Sequence, residues 1–390
     1  VDLRDKVVGA RSLMAGRSMY FAPWKPGEPD RFADPMVAPG AAMTRYTGTP
    51  FQALLLAPLG TLPFGALRVP WLLAQYGLLL VALLAMHRAF ASKDLHAWVV
   101  SGALLLVLLA STSWRLHVER GQVYVLFAGF IAILFWASAK GWMMLAGAIA
   151  AALVLCKPTY AFLLLPLALR LNGRLLLGGL AMIAAAAGAF ALLPNGLVAW
   201  SEYQEAMGAW SGMVGLGSPP SLDPGAFDYP ASIEGLTNLR EHHRMEFENG
   251  SVAAVLIAIT GIALPGWLPW MAYAAVIGAG VVLLRKHGAA IAYGELLLIG
   301  FCGWTVLMML LPVPRFDYQV VHWVAPMGFA LHAFRDRPFA WDAGAVLAAA
   351  LVVGAWSILP VDILLAEALL LVLCGWLLLK GRRPAMPESA

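Results

Sequence analysis

Asp2 is followed by Leu3 and Asp5, and by apolar or small residues at Val7, Val8, Ala10, Leu13 and Met14. This spacing predicts a helix lying on a membrane surface and ending near Gly16, with Tyr20 just beyond. A carboxylate at the first position of such a helix meets the positive end of the helix dipole beside a low-dielectric boundary, which suits a general base. The same residue in the same place also serves as an ordinary helix cap. Other groups able to do chemistry fall in short polar breaks of an otherwise apolar chain: ArgLeuHisValGluArgGlyGln at 115–122, LysPro at 157–158, and LeuProValProArgPheAspTyrGln at 311–319. They supply Arg115, His117, Glu119, Arg120, Gln122, Lys157, Arg315 and Asp317. Each cation also has a bland role, anchoring a helix end at the lipid headgroups. His322 stands near the end of an apolar run, where an ionisable group usually faces a cavity. Glu295 and Glu367 fall closer to helix ends and are expected to reach water.

The elements that must hold these groups follow from composition. A chain of 390 residues that is 61% hydrophobic and 12% charged carries more apolar surface than a soluble core could hide, so the bilayer must be its solvent. A spanning helix needs roughly 20 apolar residues, and runs of that kind recur along most of the sequence. The fold class is therefore an all-α polytopic membrane protein. The net charge of +4 comes from scattered basic clusters between apolar runs, a pattern of topology signals that argues against a nucleic-acid partner. Cys156, Cys302 and Cys374 lie in apolar runs without CxxC or clustered His, so neither a zinc site nor a disulfide framework is expected. HisHis at 242–243 lacks a ligand spacing; no metal and no cofactor is expected.

Hydropathy read against Gly, Pro and charge gives spans at about 64–88, 95–113, 121–138, 141–155, 158–170 and 174–193, then 266–285, 291–311, 319–334, 339–357 and 363–379, about eleven in all. The polar opening, which carries no signal peptide, predicts a twelfth helix ending just before Val1. With the first loop outside, the inner turns hold Arg88 and Lys93, Lys140, Arg170 and Arg174, Arg285 and Lys286, Arg335 and Arg337, and Lys380, Arg382 and Arg383. This orientation requires that 252–263 not cross, so that stretch is read as a short interfacial or re-entrant helix. Residues 46–63, interrupted by Pro50, Pro58 and Pro63, form an interfacial helix or a structural entry into the next span. The expected organisation is 1–63 as an outer loop with interfacial helices, 64–194 as a first bundle, 195–263 as an outer loop with the short helix, 264–380 as a second bundle, and 381–390 as a cytoplasmic tail. The long polar segments collect on the outer face, and function is expected there.

The run Asp2-Leu3, Ala10, Leu13, Gly16 and Tyr20, followed by TyrThrGlyThrPro (46–50) and AlaProLeuGlyThrLeuPro (57–63), resembles the first outer loop of glycosyltransferase family 87, the polyprenol-phosphate-mannose-dependent membrane mannosyltransferases. Later motifs keep the order. ArgGlyGlnValTyr (120–124) is similar to the family's Gly-Gln-Val-Asn turn, LysPro (157–158) to its Lys-Pro, and GluAsnGlySerVal (248–252) to its Asn-Gln-Ser-Leu. Where the family often carries Ser-Pro-x-Ser-Trp-x-His-His, this chain has 311–319, without the His pair.

The resemblance implies a GT-C fold in the plasma (inner) membrane with its active site on the outer, periplasmic face. It implies a first-loop Asp as base, which Asp2 matches, and a polyprenyl-phosphate sugar donor giving a sugar, mannose in the family, to a glycan or glycolipid acceptor. One base suffices, because phosphate leaves without a protonating acid, unlike the two-carboxylate arrangement of glycoside hydrolysis. The departing phosphate needs cations or donors, for which Arg315, Lys157, Arg120 and Arg115 are the candidates. Asp317, Gln122, His117, Glu119, Tyr46 and His322 are candidates for holding sugar or acceptor, with a polar connector as the other role of the 117–122 group. Trp200, Tyr203, Trp210, Phe227 and Tyr229 either stack on an acceptor sugar or pack a lid. A lipid-linked glycan transporter or flippase, or a membrane glycan ligase, is the competing class. Transport would place ionisable residues near the bilayer midplane, whereas here they gather toward one edge.

Overall fold

The computed structural model describes residues 2–34, 37, 43–89, 102, 105–106, 108–170, 172–214, 251–260, 262–286, 292–311, 317–333 and 362–380. Among them every regular element is helical. Among the described residues four helices are long and apolar enough to cross a membrane, Phe64–Ala89, Gly173–Ala191, Leu268–Arg285 and Tyr293–Leu310, and the bent pair Thr112–Arg120 with Tyr124–Ala139 is a fifth if it forms one span. The spans expected at 95–113 and 339–357 lie mostly or wholly outside the described residues, as do Arg315, the tail 381–390, and the outer loop at 215–250 with Phe227 and Tyr229.

The first helix, α1 (Asp2–Met14), runs as expected to a Gly16 with φ +66°. It is not a one-sided surface helix, however. Leu3, Val7, Val8, Ala10 and Leu13 are buried, and so are Arg11 and Ser12, because α2 (Pro50–Gly60) packs along it. The Arg11 guanidinium binds the carbonyls of Gly60, Leu62 and Arg31 and lies over Phe64, 4.2 Å from the ring centroid. It thereby satisfies carbonyls at the C-terminal end of α2 that the helix leaves without partners. Pro50 opens α2, where its missing N–H costs nothing, and Thr49 caps it by accepting from Gln52 N.

The first bundle is α3 (Arg68–Ala89), α4 (Thr112–Arg120), α5 (Tyr124–Ala139), α6 (Met143–Cys156), α7 (Tyr160–Leu164) and α8 (Gly173–Ala191), with α3 against α5 and α6 against α8. The polar turn read at 115–122 is largely a helix. Ser111 caps α4 at Trp114 N, and α4 meets α5 at 115° across Gly121. The stretch 158–170 breaks from α into a 3-10 helix at Leu165–Arg170. Pro166 has no N–H for the Phe162 carbonyl, and that carbonyl accepts from Tyr273 Oη at 2.7 Å instead.

Next come α9 (Val198–Val214), α10 (Val252–Thr260), α11 (Leu268–Lys286) and α12 (Tyr293–Leu310). At nine residues, or about 14 Å, α10 is too short to cross. The 319–334 run begins as a 3-10 helix, Asp317–Trp323, before α13 (Val324–Ala333), because Pro326 cannot donate to the carbonyl four residues back. The last described helix is α14 (Asp362–Lys380). Glu367 on it does not reach water: it is 1% exposed, since α14 packs this face against α12 and the 3-10 helix.

Candidate active site

Lys157 ends α6 as its C-cap, where the negative end of the helix dipole favours a cation. Its ammonium lies over three rings, 5.2 Å from the Tyr124 centroid, 5.9 Å from Trp304 and 6.0 Å from Tyr160. These are cation–π distances in a half-buried setting. His322 closes the same cluster, 4.9 Å from Tyr124 and 5.7 Å from Trp304 by ring centroid. Its Nε2 is 2.9 Å from Tyr160 Oη, a hydrogen bond whose direction follows the imidazole tautomer. Gln319 Nε2 donates to Tyr124 Oη at 3.2 Å. Trp304 is 2% exposed, and its indole N–H meets no acceptor among the described residues. Residues far apart in sequence, on α5, α6, α7, α12 and the 3-10 helix, thus form one cationic aromatic cage.

The first loop reaches this cage from two directions. Thr49 Oγ1 donates to the carbonyl of Cys156, the residue before Lys157, at 3.2 Å. The start of α1 docks on the α4–α5 corner: a Cβ on Gly121 would stand 2.5 Å from Leu3 Cβ, and Gly121 itself has φ +68°, so the corner requires glycine twice over. Asp2, the first residue of α1, is therefore carried to the turn that leads directly into Tyr124.

The remaining candidates are distributed unevenly. His117 is fully buried, stacks on Trp114 at 5.4 Å, and accepts the Val125 N–H through Nε2 at 3.1 Å. It thus caps the start of α5 rather than facing solvent. Gln122 is buried; its N–H donates to the His117 carbonyl at 2.9 Å, and its own carbonyl accepts from Gln75 Nε2 at 3.4 Å. Tyr46 is 1% exposed beneath α1 and donates to the Thr49 carbonyl at 2.9 Å. Burial first, and the charge of Asp5 second, push its phenol well above the usual range, so it remains a neutral donor. Tyr20 does the same for Gly48, donating at 2.7 Å, and burial raises its phenol too. Arg115 and Glu119 are exposed and 3.8 Å apart across one helical turn; Arg120 is exposed at the end of α4. Asp317 opens the 3-10 helix. Trp200 and Tyr203 pack on Phe190 and Tyr20, at 5.7 and 6.0 Å, rather than standing open on a lid.

Tyr124, Tyr160, Trp304 and Gln319 were not singled out from sequence. Tyr124 ends the ArgGlyGlnValTyr motif and Tyr160 follows LysPro closely, a local signal. Trp304 lies inside an apolar run and gives none.

A helical membrane chain that brings an ammonium, an imidazole and aromatic rings together from separate helices beside a polar first loop has the makings of a membrane enzyme. The chain belongs to glycosyltransferase family 87, whose model matches residues 46–314, more than half its length. Lys157, Tyr124, Tyr160 and Trp304 lie within the match; Asp2, Gln319, His322 and Glu367 lie outside it. No curated protein and no solved structure matches the chain.

Proposed function

We propose that this membrane glycosyltransferase has a GT-C fold in the inner membrane and takes its sugar from a polyprenyl-phosphate-linked donor, with mannose as the sugar and an outer-face glycan or glycolipid as acceptor. The observation that carries the reading is the Lys157 cage. A single ammonium over three ring faces, with His322 beside it, is a place where phosphate charge can be met while water is held off. Arg315 and Arg120 are assigned to the same phosphate.

In the reaction, the Asp2 carboxylate takes the proton of an acceptor hydroxyl while that oxygen bonds to the anomeric carbon. The bond from that carbon to the phosphate oxygen breaks, its electron pair leaves with polyprenyl phosphate, and the centre inverts. Docking of α1 on Gly121 supports this division of labour, because it brings the helix that begins with Asp2 to the entrance of α5. His117 and Tyr46 are read as supports of that corner and of the 46–50 turn, since His117 Nε2 and Tyr46 Oη are engaged within the protein, and Gln122 as a support through its backbone N–H and carbonyl.

The test is Asp2→Asn, which keeps the side-chain shape and removes the base. Purified protein given polyprenyl phosphomannose and an acceptor glycolipid should lose about 10³-fold or more in turnover while still binding polyprenyl phosphate. Turnover within about threefold of the parent would refute Asp2 as base.

A further inference from the structure

The 3-10 helix Asp317–Trp323 presents both Gln319 and His322 to the cage, yet seven residues is long for that conformation, whose hydrogen bonds are poorly aligned beyond one or two turns. It therefore depends on ties to its neighbours. Two of these ties, Gln319 to Tyr124 and His322 to Tyr160, are made by the cage residues themselves and are open to competition from a ligand. A third comes from another element. Trp323 Nε1 donates to Glu367 Oε1 at 3.4 Å, and the Trp323 ring packs edge-on against Phe301, with centroids 4.8 Å apart.

Glu367 stands in the run AspIleLeuLeuAlaGluAlaLeuLeuLeu at 362–371, the one acidic or basic residue between Asp362 and Lys380, and it is 1% exposed. A carboxyl group inside an apolar membrane helix is costly, and a helix that served only as an anchor would carry leucine there. Its bonded partner is the residue next to His322. We propose that Glu367 is a positioning residue for the phosphate cage: through Trp323 it fixes the 3-10 helix and so the placement of His322 and Gln319. The inference rests on the reading of the cage given above. It also makes α14, which lies beyond the family-matched residues, part of the working site.

The experiment measures binding of polyprenyl phosphate, which probes the phosphate site whatever the sugar, to the full chain in neutral-lipid nanodiscs. Glu367→Leu should weaken binding about tenfold, and Trp323→Phe, which keeps the ring and removes the donor, should do likewise. Glu367→Gln, which retains an acceptor oxygen, should stay within about threefold. The decisive readout is a mutant cycle: in a background carrying both His322→Ala and Gln319→Ala, Glu367→Leu should add no further loss, since its effect passes through those two residues. A merely structural carboxyl would give additive losses, and that result, or parent affinity in Glu367→Leu, would overturn the proposal. If Glu367→Leu does not fold, Trp323→Phe decides in the same way. Parent affinity in both Lys157→Ala and His322→Ala would instead sink the cage reading, whereas weakening in those two alone would sink only the role of Glu367.

Discussion

Lys157 and Arg115 are both cations of the polar breaks, and the fold treats them differently. Lys157 caps the C-terminal end of α6, half-buried over Tyr124, Tyr160 and Trp304. Arg115 sits in the first turn of α4, against the positive end of the helix dipole, is largely exposed, and has Glu119 at 3.8 Å. In water a charge of this kind is screened and an exposed ion pair contributes little, whereas among ring faces the same charge acts at a lower effective dielectric. The difference teaches that a cation's value to a phosphate is set by what surrounds it, and sequence motifs do not record that.

The comparison can be broken or sharpened by substitution. The largest effect after loss of the base is expected from Lys157→Ala, about 10²-fold in kcat/KM for the lipid-linked donor, measured in nanodiscs. An effect no larger than that of Arg115→Ala would erase the distinction. Tyr160→Phe, which keeps the ring over Lys157 but removes the hydroxyl bound to His322, should cost about tenfold in kcat/KM for the donor. A loss equal to that of Lys157→Ala would mean the hydroxyl, rather than the ring, matters most.

His117→Ala probes the corner itself. It strips the Val125 N–H of its acceptor and should lower unfolding stability by about 1–3 kcal/mol, seen as a lower unfolding midpoint, while KM for the donor stays near that of the parent. A selective rise in KM without loss of stability would return His117 to the substrate. The smallest effect is expected from Arg115→Ala, within about twofold on every kinetic constant.

Much of the architecture was legible. Apolar content required a helical membrane protein, Gly16 marked a helix boundary that the structure keeps, and the ordered motifs pointed to family 87, whereas Pro58, read as an interruption, lies inside α2. Less legible were the breaks. The polar run at 115–122 reads as a connector because Arg, His and Glu interrupt the apolar pattern, yet Ser111 and Gly121 are a cap and a stop around a real helix. Glu367 was expected at water because it lies five residues from the start of its helix, and only the packing of α14 shows it buried.

By itself the sequence determined the solvent of this protein, its helical class and its family, because those depend on composition, run length and local order, all of which are properties of the chain taken in series. Tertiary structure decided which polar residues share a space. Lys157 lies well over a hundred residues from Trp304 and His322, and no periodicity links the three. They meet because helices broken at Pro166 and Pro326 and a corner turned at Gly121 bring their ends together.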